Sequence, residues 1–172
     1  GGGASTRLTG RGVGIAVIDS GIFPHEDFAP GAIRYRVDFI DPQRKGSNGT
    51  HDPFGHGTHV AGIIAGFPVR LGSGGMLGGL SPGAHLVSLR VLDHKGQGQS
   101  SDAIAALEWC VLHRDEHALK VVNMSLGQVI AEAAATDPLV QAVERASEAG
   151  LLVVVSAGNR GTLGAGYGTI GS

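Results

Sequence analysis

Four short apolar runs rich in β-branched residues constrain this chain most. They are VGIAVID (Val13 to Asp19), HLVSLRVL (His85 to Leu92), KVVNMSL (Lys120 to Leu126) and LLVVVSA (Leu151 to Ala157). Near-continuous apolarity suits strands covered on both faces, as in a parallel sheet. Helical patterns lie between them. In SSDAIAALEWCVLHRD, Ile104, Leu107 and Val111 recur at helical spacing, and Ser100 or Ser101 stands where a cap belongs. In DPLVQAVERASEAG, Asp137 is the expected N-cap and Pro138 the first helical residue. Leu139, Val143 and Ala146 form its apolar stripe, and Gly150 closes the end. HGTHVAGIIAG reads as a third helix, built of small residues for tight packing. The alternation predicts a βαβ architecture around a parallel sheet, with no linker or second domain across residues 1–172.

Composition removes several functions. With 172 residues, 42% hydrophobic and 16% charged, the chain falls in the range of one soluble domain. A net charge of −2 gives no electrostatic case for nucleic acid or an anionic membrane. No run reaches the roughly 20 apolar residues of a membrane span. The opening GGGASTRLTGRG lacks the apolar core of a signal peptide, so secretion cannot be read from it. Cys110 stands alone, which excludes an intramolecular disulfide, and its apolar surroundings point to a buried structural thiol. The 30 glycines concentrate in LGSGGMLGG, GQGQ and AGNRGTLGAGYG, which read as loops of close backbone approach.

In open parallel sheets, ligands bind beyond the carboxyl ends of the strands. Asp19, Ser125 to Gly127 and Ser156 to Asn159 occupy such ends. Asp19 reads either as a turn carboxylate or as the group that fixes an imidazole in one tautomer. His56 opens a helix between Gly55 and Gly57, which leave one face of its ring open. A zinc site of His56 and His59, with His51, lacks the usual i, i+4 spacing and glutamate; His59 is expected to pack beneath its helix as a hydrogen-bonded core residue. GRGVG (Gly10 to Gly14) precedes its strand rather than following it, so it fails as a dinucleotide-binding turn. Asn159 is either a turn asparagine or a side-chain donor to a developing oxyanion. Asp52 reads as a solvated loop carboxylate, or alternatively as a source of charge in a subsite.

Taken together, VIDSGI (Val17 to Ile22), GHGTHVAG (Gly55 to Gly62), VVNMSLG (Val121 to Gly127) and VVSAGN (Val154 to Asn159) resemble the subtilisin-like serine peptidases, in the family's order and over almost the whole chain. The resemblance implies a three-layer α/β fold with a mostly parallel sheet flanked by helices. It implies Asp19 as the triad aspartate, His56 as the general base and Asn159 as the oxyanion donor. Gly96, Gln97 and Gly98 then resemble one wall of a peptide cleft and Ser125, Leu126 and Gly127 the other. Ser156, Ala157 and Gly158 resemble the floor of the pocket for the residue before the cut, and Ser100 suggests a roomy distal subsite. The implied ligand is a peptide or protein substrate. Family likeness also favours secretion.

One element is missing. The family's nucleophile sits in a Gly-Thr-Ser-Met-Ala type segment, but the Gly-Thr pairs at Gly49, Gly57, Gly161 and Gly168 are never followed by serine. The expectation is an N-terminal portion of a catalytic domain, truncated before the nucleophile segment, with the serine on a missing remainder or a complementary chain. Two alternatives are a short form that binds peptide as a scaffold and a metal-dependent or other hydrolytic site on the same sheet. A parallel sheet cut in this way leaves an open edge and is expected to self-associate unless complemented. No cofactor or metal is assigned. Asp27 resembles one ligand of a structural calcium site found in many relatives. The loop VRLGSGGMLGG, however, adds only serine and backbone oxygens, short of the six to eight that calcium takes.

Overall fold

All six residues of strand β1 (Gly14–Asp19) are buried, as expected of a strand at the centre of a sheet covered on both faces. The computed structural model describes residues 8–41, 52–127 and 133–159. After β1 come β2 (Ile33–Asp38), α1 (His56–Ala65), β3 (Val69–Arg70), β4 (Met76–Leu77), β5 (His85–Arg90), α2 (Ser100–Leu112), β6 (Leu119–Met124), α3 (Pro138–Glu148) and β7 (Leu152–Val155). Five strands form a sheet in the order β2-β5-β1-β6-β7. Every pairing in it is parallel.

The side-chain alternation of β1 divides the core in two. Ala16 and Ile18 join a cluster with Ala103, Ala106, Leu107 and Cys110 of α2 and Ala142 and Ala146 of α3. Ile15 and Val17 join the other, with Ala61 and Ala65 of α1. Helices thus cover both faces, giving three layers.

Helix α3 ends as its sequence predicts. Asp137 accepts the N–H groups of Leu139 and Val140, and Pro138 follows it. At the other end Gly150 adopts φ +87°, Gly150 N–H donates to Ser147 and Leu151 N–H to Ala146. Those two bonds make a Schellman motif. Helix α2 departs from expectation: its N-cap is Gln99, without a side-chain cap, because the helical turn already includes Ser100 and Ser101.

Strand β2 has no counterpart in the sequence reading. Its residues, IRYRVD, alternate charge with apolar side chains because it is an edge strand, where charge on the rim blocks unwanted pairing. Its Asp38 bonds to Arg90 of β5 at 2.7 Å, and both side chains are largely buried. Within VRLGSGGMLGG, β3 and β4 form a short antiparallel ladder. At the opposite sheet edge, β7 leaves Leu152, Val154 and Val155 exposed.

Candidate active site

Strand β1 ends at Asp19, whose side chain is fully buried. The strand end is pinned from β5: Val91 and Leu92 donate their N–H groups to the Asp19 carbonyl at 2.8 and 3.2 Å. The carboxylate points to the start of α1, where His56 is the first helical residue. His56 Nδ1 lies 2.9 Å from both carboxylate oxygens. A carboxylate accepts, so Nδ1 carries the proton and Nε2 is left with a lone pair.

The first turn of α1 needs unusual support, because Gly55, its N-cap, has no side chain to accept the free N–H groups. Asp52 and Ser20 replace it. Asp52 accepts from Thr58 N–H at 2.8 Å, Thr58 Oγ1 at 2.6 Å and Gly55 N–H at 2.8 Å. Ser20 Oγ accepts from Gly57 N–H at 3.0 Å. Burial pushes the Asp52 carboxyl upward, but the bonds from the Thr58 and Ser20 hydroxyls and the Thr58 and Gly55 amides prevail and hold its pKa below the ordinary value. Asp52 is therefore neither a solvated loop residue nor a subsite charge; it organises the helix start. The sequence signal for it was an aspartate three residues before a glycine N-cap.

His56 opens onto a cleft of about 740 Å³. Gly96, Gln97 and Gly98 line it, as do Ser125, Leu126, Gly127 and Asn159. The first trio leaves a turn built by Asp93, whose carboxylate accepts the N–H groups of Lys95 and Gln97. Gly98 must be glycine there, since a Cβ would collide with the Val91 carbonyl oxygen. Phe54 also lines the cleft, its ring close to Gly96 and 6.3 Å from the His56 ring. Ser156 is placed differently: its hydroxyl donates to the Leu126 carbonyl at 3.0 Å, tying the end of β7 to the opposite segment. Ser156, Ala157 and Gly158 are not among the residues lining the cleft. Ser100 is exposed and does line it.

His59 is exposed rather than in the core. The buried residues of α1 are Gly57, Ala61 and Ala65, a stripe at four-residue spacing, and His59 lies about 200° around the helix from Gly57. It borders a separate groove with Phe28, Ile63 and Phe67. His51 lies outside the described residues, as do the Gly-Thr pairs at Gly49, Gly161 and Gly168. Asp27 pairs with His25 at 3.3 Å. Among the described residues no three His, Cys, Asp or Glu side chains gather where they would hold a metal ion.

An imidazole bonded to a buried aspartate thus stands beside a cleft at the strand ends. Comparison with known proteins identifies its lineage: a model of the subtilase family matches residues 10–170, and the chain belongs to that family. It is 37% identical to Serine protease AprX of Bacillus subtilis over 90% of this chain and 34% of that protein. It is 38% identical to Subtilisin BL of Lederbergia lenta, covering 93% of this chain and 52% of that one. A solved cold-adapted subtilisin-like serine proteinase superposes with a TM-score of 0.72 at 31% identity, over 92% of this chain and 50% of the other. The chain thus spans about half, or less, of the length of these relatives.

Proposed function

We propose that this chain supplies the aspartate, the general base and the oxyanion donor of a serine endopeptidase whose nucleophilic serine lies outside these 172 residues. The observation that carries the reading is the Asp19–His56 pair, with His56 lining a cleft of about 740 Å³. A serine hydroxyl becomes an effective nucleophile when an imidazole removes its proton. In this reading His56 Nε2 takes that proton as the serine oxygen bonds to the scissile carbonyl carbon. His56 then returns it to the amine as the C–N bond breaks. Water repeats the sequence on the acyl-enzyme. Asp19 holds the ring in the required tautomer and stabilises its imidazolium form. Asn159, on the cleft wall, donates to the carbonyl oxygen as charge develops there.

Gly96 to Gly98 and Ser125 to Gly127 are the segments that would bind an extended substrate through main-chain hydrogen bonds. The substrate is a peptide or protein. The serine-bearing partner is a further segment or a complementary chain. Family membership favours a secreted protein. Among the described residues no helix is long and apolar enough to cross a membrane.

The test is to supply a subtilase serine-bearing segment, linked or mixed, and follow cleavage of a peptide library. The expected result is cleavage with that segment and none without it, lost in His56→Ala. Peptide binding without cleavage in a demonstrated assembly would overturn the reading in favour of a scaffold. Cleavage abolished by a chelator would point to a metal-dependent site.

A further inference from the structure

We propose that Asp52, acting through the Ser20 hydroxyl, is a positioning residue for the Asp19–His56 pair, an assignment that rests on reading His56 as the general base. One proton decides the arrangement. Ser20 Oγ carries a single hydrogen and has two carboxylates within reach: Asp52 Oδ1 at 2.7 Å and Asp19 Oδ1 at 3.1 Å. The shorter contact assigns the proton to Asp52. A lone pair of the same oxygen then receives Gly57 N–H at 3.0 Å. Asp19 Oδ1 receives Ser20 N–H at 2.7 Å and shares the proton on His56 Nδ1 with Oδ2.

Asp52 is well suited to draw the hydroxyl proton toward itself. It is held as a carboxylate, and a carboxylate has no proton to offer in return. Without it, the remaining acceptor for the Ser20 hydroxyl among the described residues is Asp19 Oδ1, which already serves His56 Nδ1. The hydroxyl would compete with the imidazole for that oxygen. The first turn of α1, which carries His56, would also lose its side-chain acceptors at Gly55 and Thr58. Both effects loosen the orientation of the ring, and neither requires contact between Asp52 and substrate. Asp52 is not among the described residues that line the cleft.

The experiment compares Asp52→Ala and Asp52→Asn by the proton resonance of His56 Nδ1–H in the 172-residue chain. The same variants are then assayed for kcat and KM in the serine-bearing assembly. Asp137→Ala, which removes the cap of a distant helix, serves as a control for general destabilisation. The expected result for Asp52→Ala is an upfield, exchange-broadened Nδ1–H signal and a fall in kcat of up to about 10²-fold at unchanged KM. Asp52→Asn, which keeps an acceptor for Ser20, recovers most of both. Wild-type behaviour of Asp52→Ala, or an equal change in Asp137→Ala, would overturn the proposal. Should Asp52→Ala fail to fold, Ser20→Ala against Ser20→Thr decides: alanine removes the acceptor of Gly57 N–H, so loss with alanine and recovery with threonine supports the role of the hydroxyl, and equal behaviour contradicts it. A changed resonance without peptidase activity in any assembly would defeat the functional reading while leaving the positioning role intact.

Discussion

Gly57 packs so closely against Gly21 that no side chain fits between them: a Cβ on Gly57 would run into the Gly21 carbonyl oxygen and stand 3.2 Å from Asp19 Oδ1. The absence of one methyl group lets α1 approach the end of β1 and brings His56 within hydrogen-bonding distance of Asp19. Gly57→Ala must push the helix outward. We expect a loss of about 1–3 kcal/mol of stability, read by denaturant unfolding, together with loss of the Nδ1–H signal of His56. A variant of wild-type stability with that signal intact would contradict the packing.

Acid should act on the helix start. Because the folded-state pKa of Asp52 is depressed, its contribution to stability is present above the unfolded value of about 3.9 and lost as pH falls through the folded value. The expected outcome is a decline in stability below about pH 4 that is smaller in Asp52→Asn. Urea midpoints for both proteins across that range measure it, and parallel curves would refute it.

Alkali should act on Cys110. Burial in the α2 face of the core raises this thiol to about 12. A raised pKa stabilises the fold fully below the unfolded thiol value of about 8.5, and that contribution is lost as pH climbs toward 12. Iodoacetamide at pH 8.5 is expected to leave the folded chain unlabelled and to add one group per chain in denaturant. Rapid labelling under folding conditions would show that Cys110 is accessible.

The apolar rim of β7 predicts association. Leu152 and Val155 are 63% and 57% exposed on a strand that, among the described residues, pairs on one side only. Such an edge invites another chain. Sedimentation velocity is expected to show concentration-dependent self-association, suppressed by Val154→Lys or by a complementary segment. A monodisperse, cooperatively unfolding monomer would contradict it.

Strands β1, β5, β6 and β7 were legible because each carries a near-continuous apolar run, which in β7 lies on an exposed edge rather than in the core. β2 was not, since an edge strand with Arg34 and Arg36 carries no such run. Asp19, His56 and the two cleft walls could be found from local motifs that resemble a known family. The support beneath them could not. Asp52 meets Ser20 across 32 residues of sequence, and only the folded chain shows that one hydroxyl lies between two carboxylates. His59 was misplaced for a related reason: helical spacing shows which residues share a face, and here the smallest ones, Gly57, Ala61 and Ala65, take the buried face.

The oxyanion role proposed for Asn159 can be gauged against a known magnitude. Removing the corresponding donor of subtilisin costs about 10²–10³ in kcat, so Asn159→Ala in an active assembly serves as a calibration. Whether His56 activates a serine beyond these 172 residues is decided by fluorophosphonate labelling of the chain assembled with a serine-bearing segment, read by intact mass and peptide mapping. The expected result is a single label on the serine of that segment, absent in His56→Ala, and none on residues 1–172. A label on a serine within these 172 residues, or labelling that survives loss of His56, would contradict it.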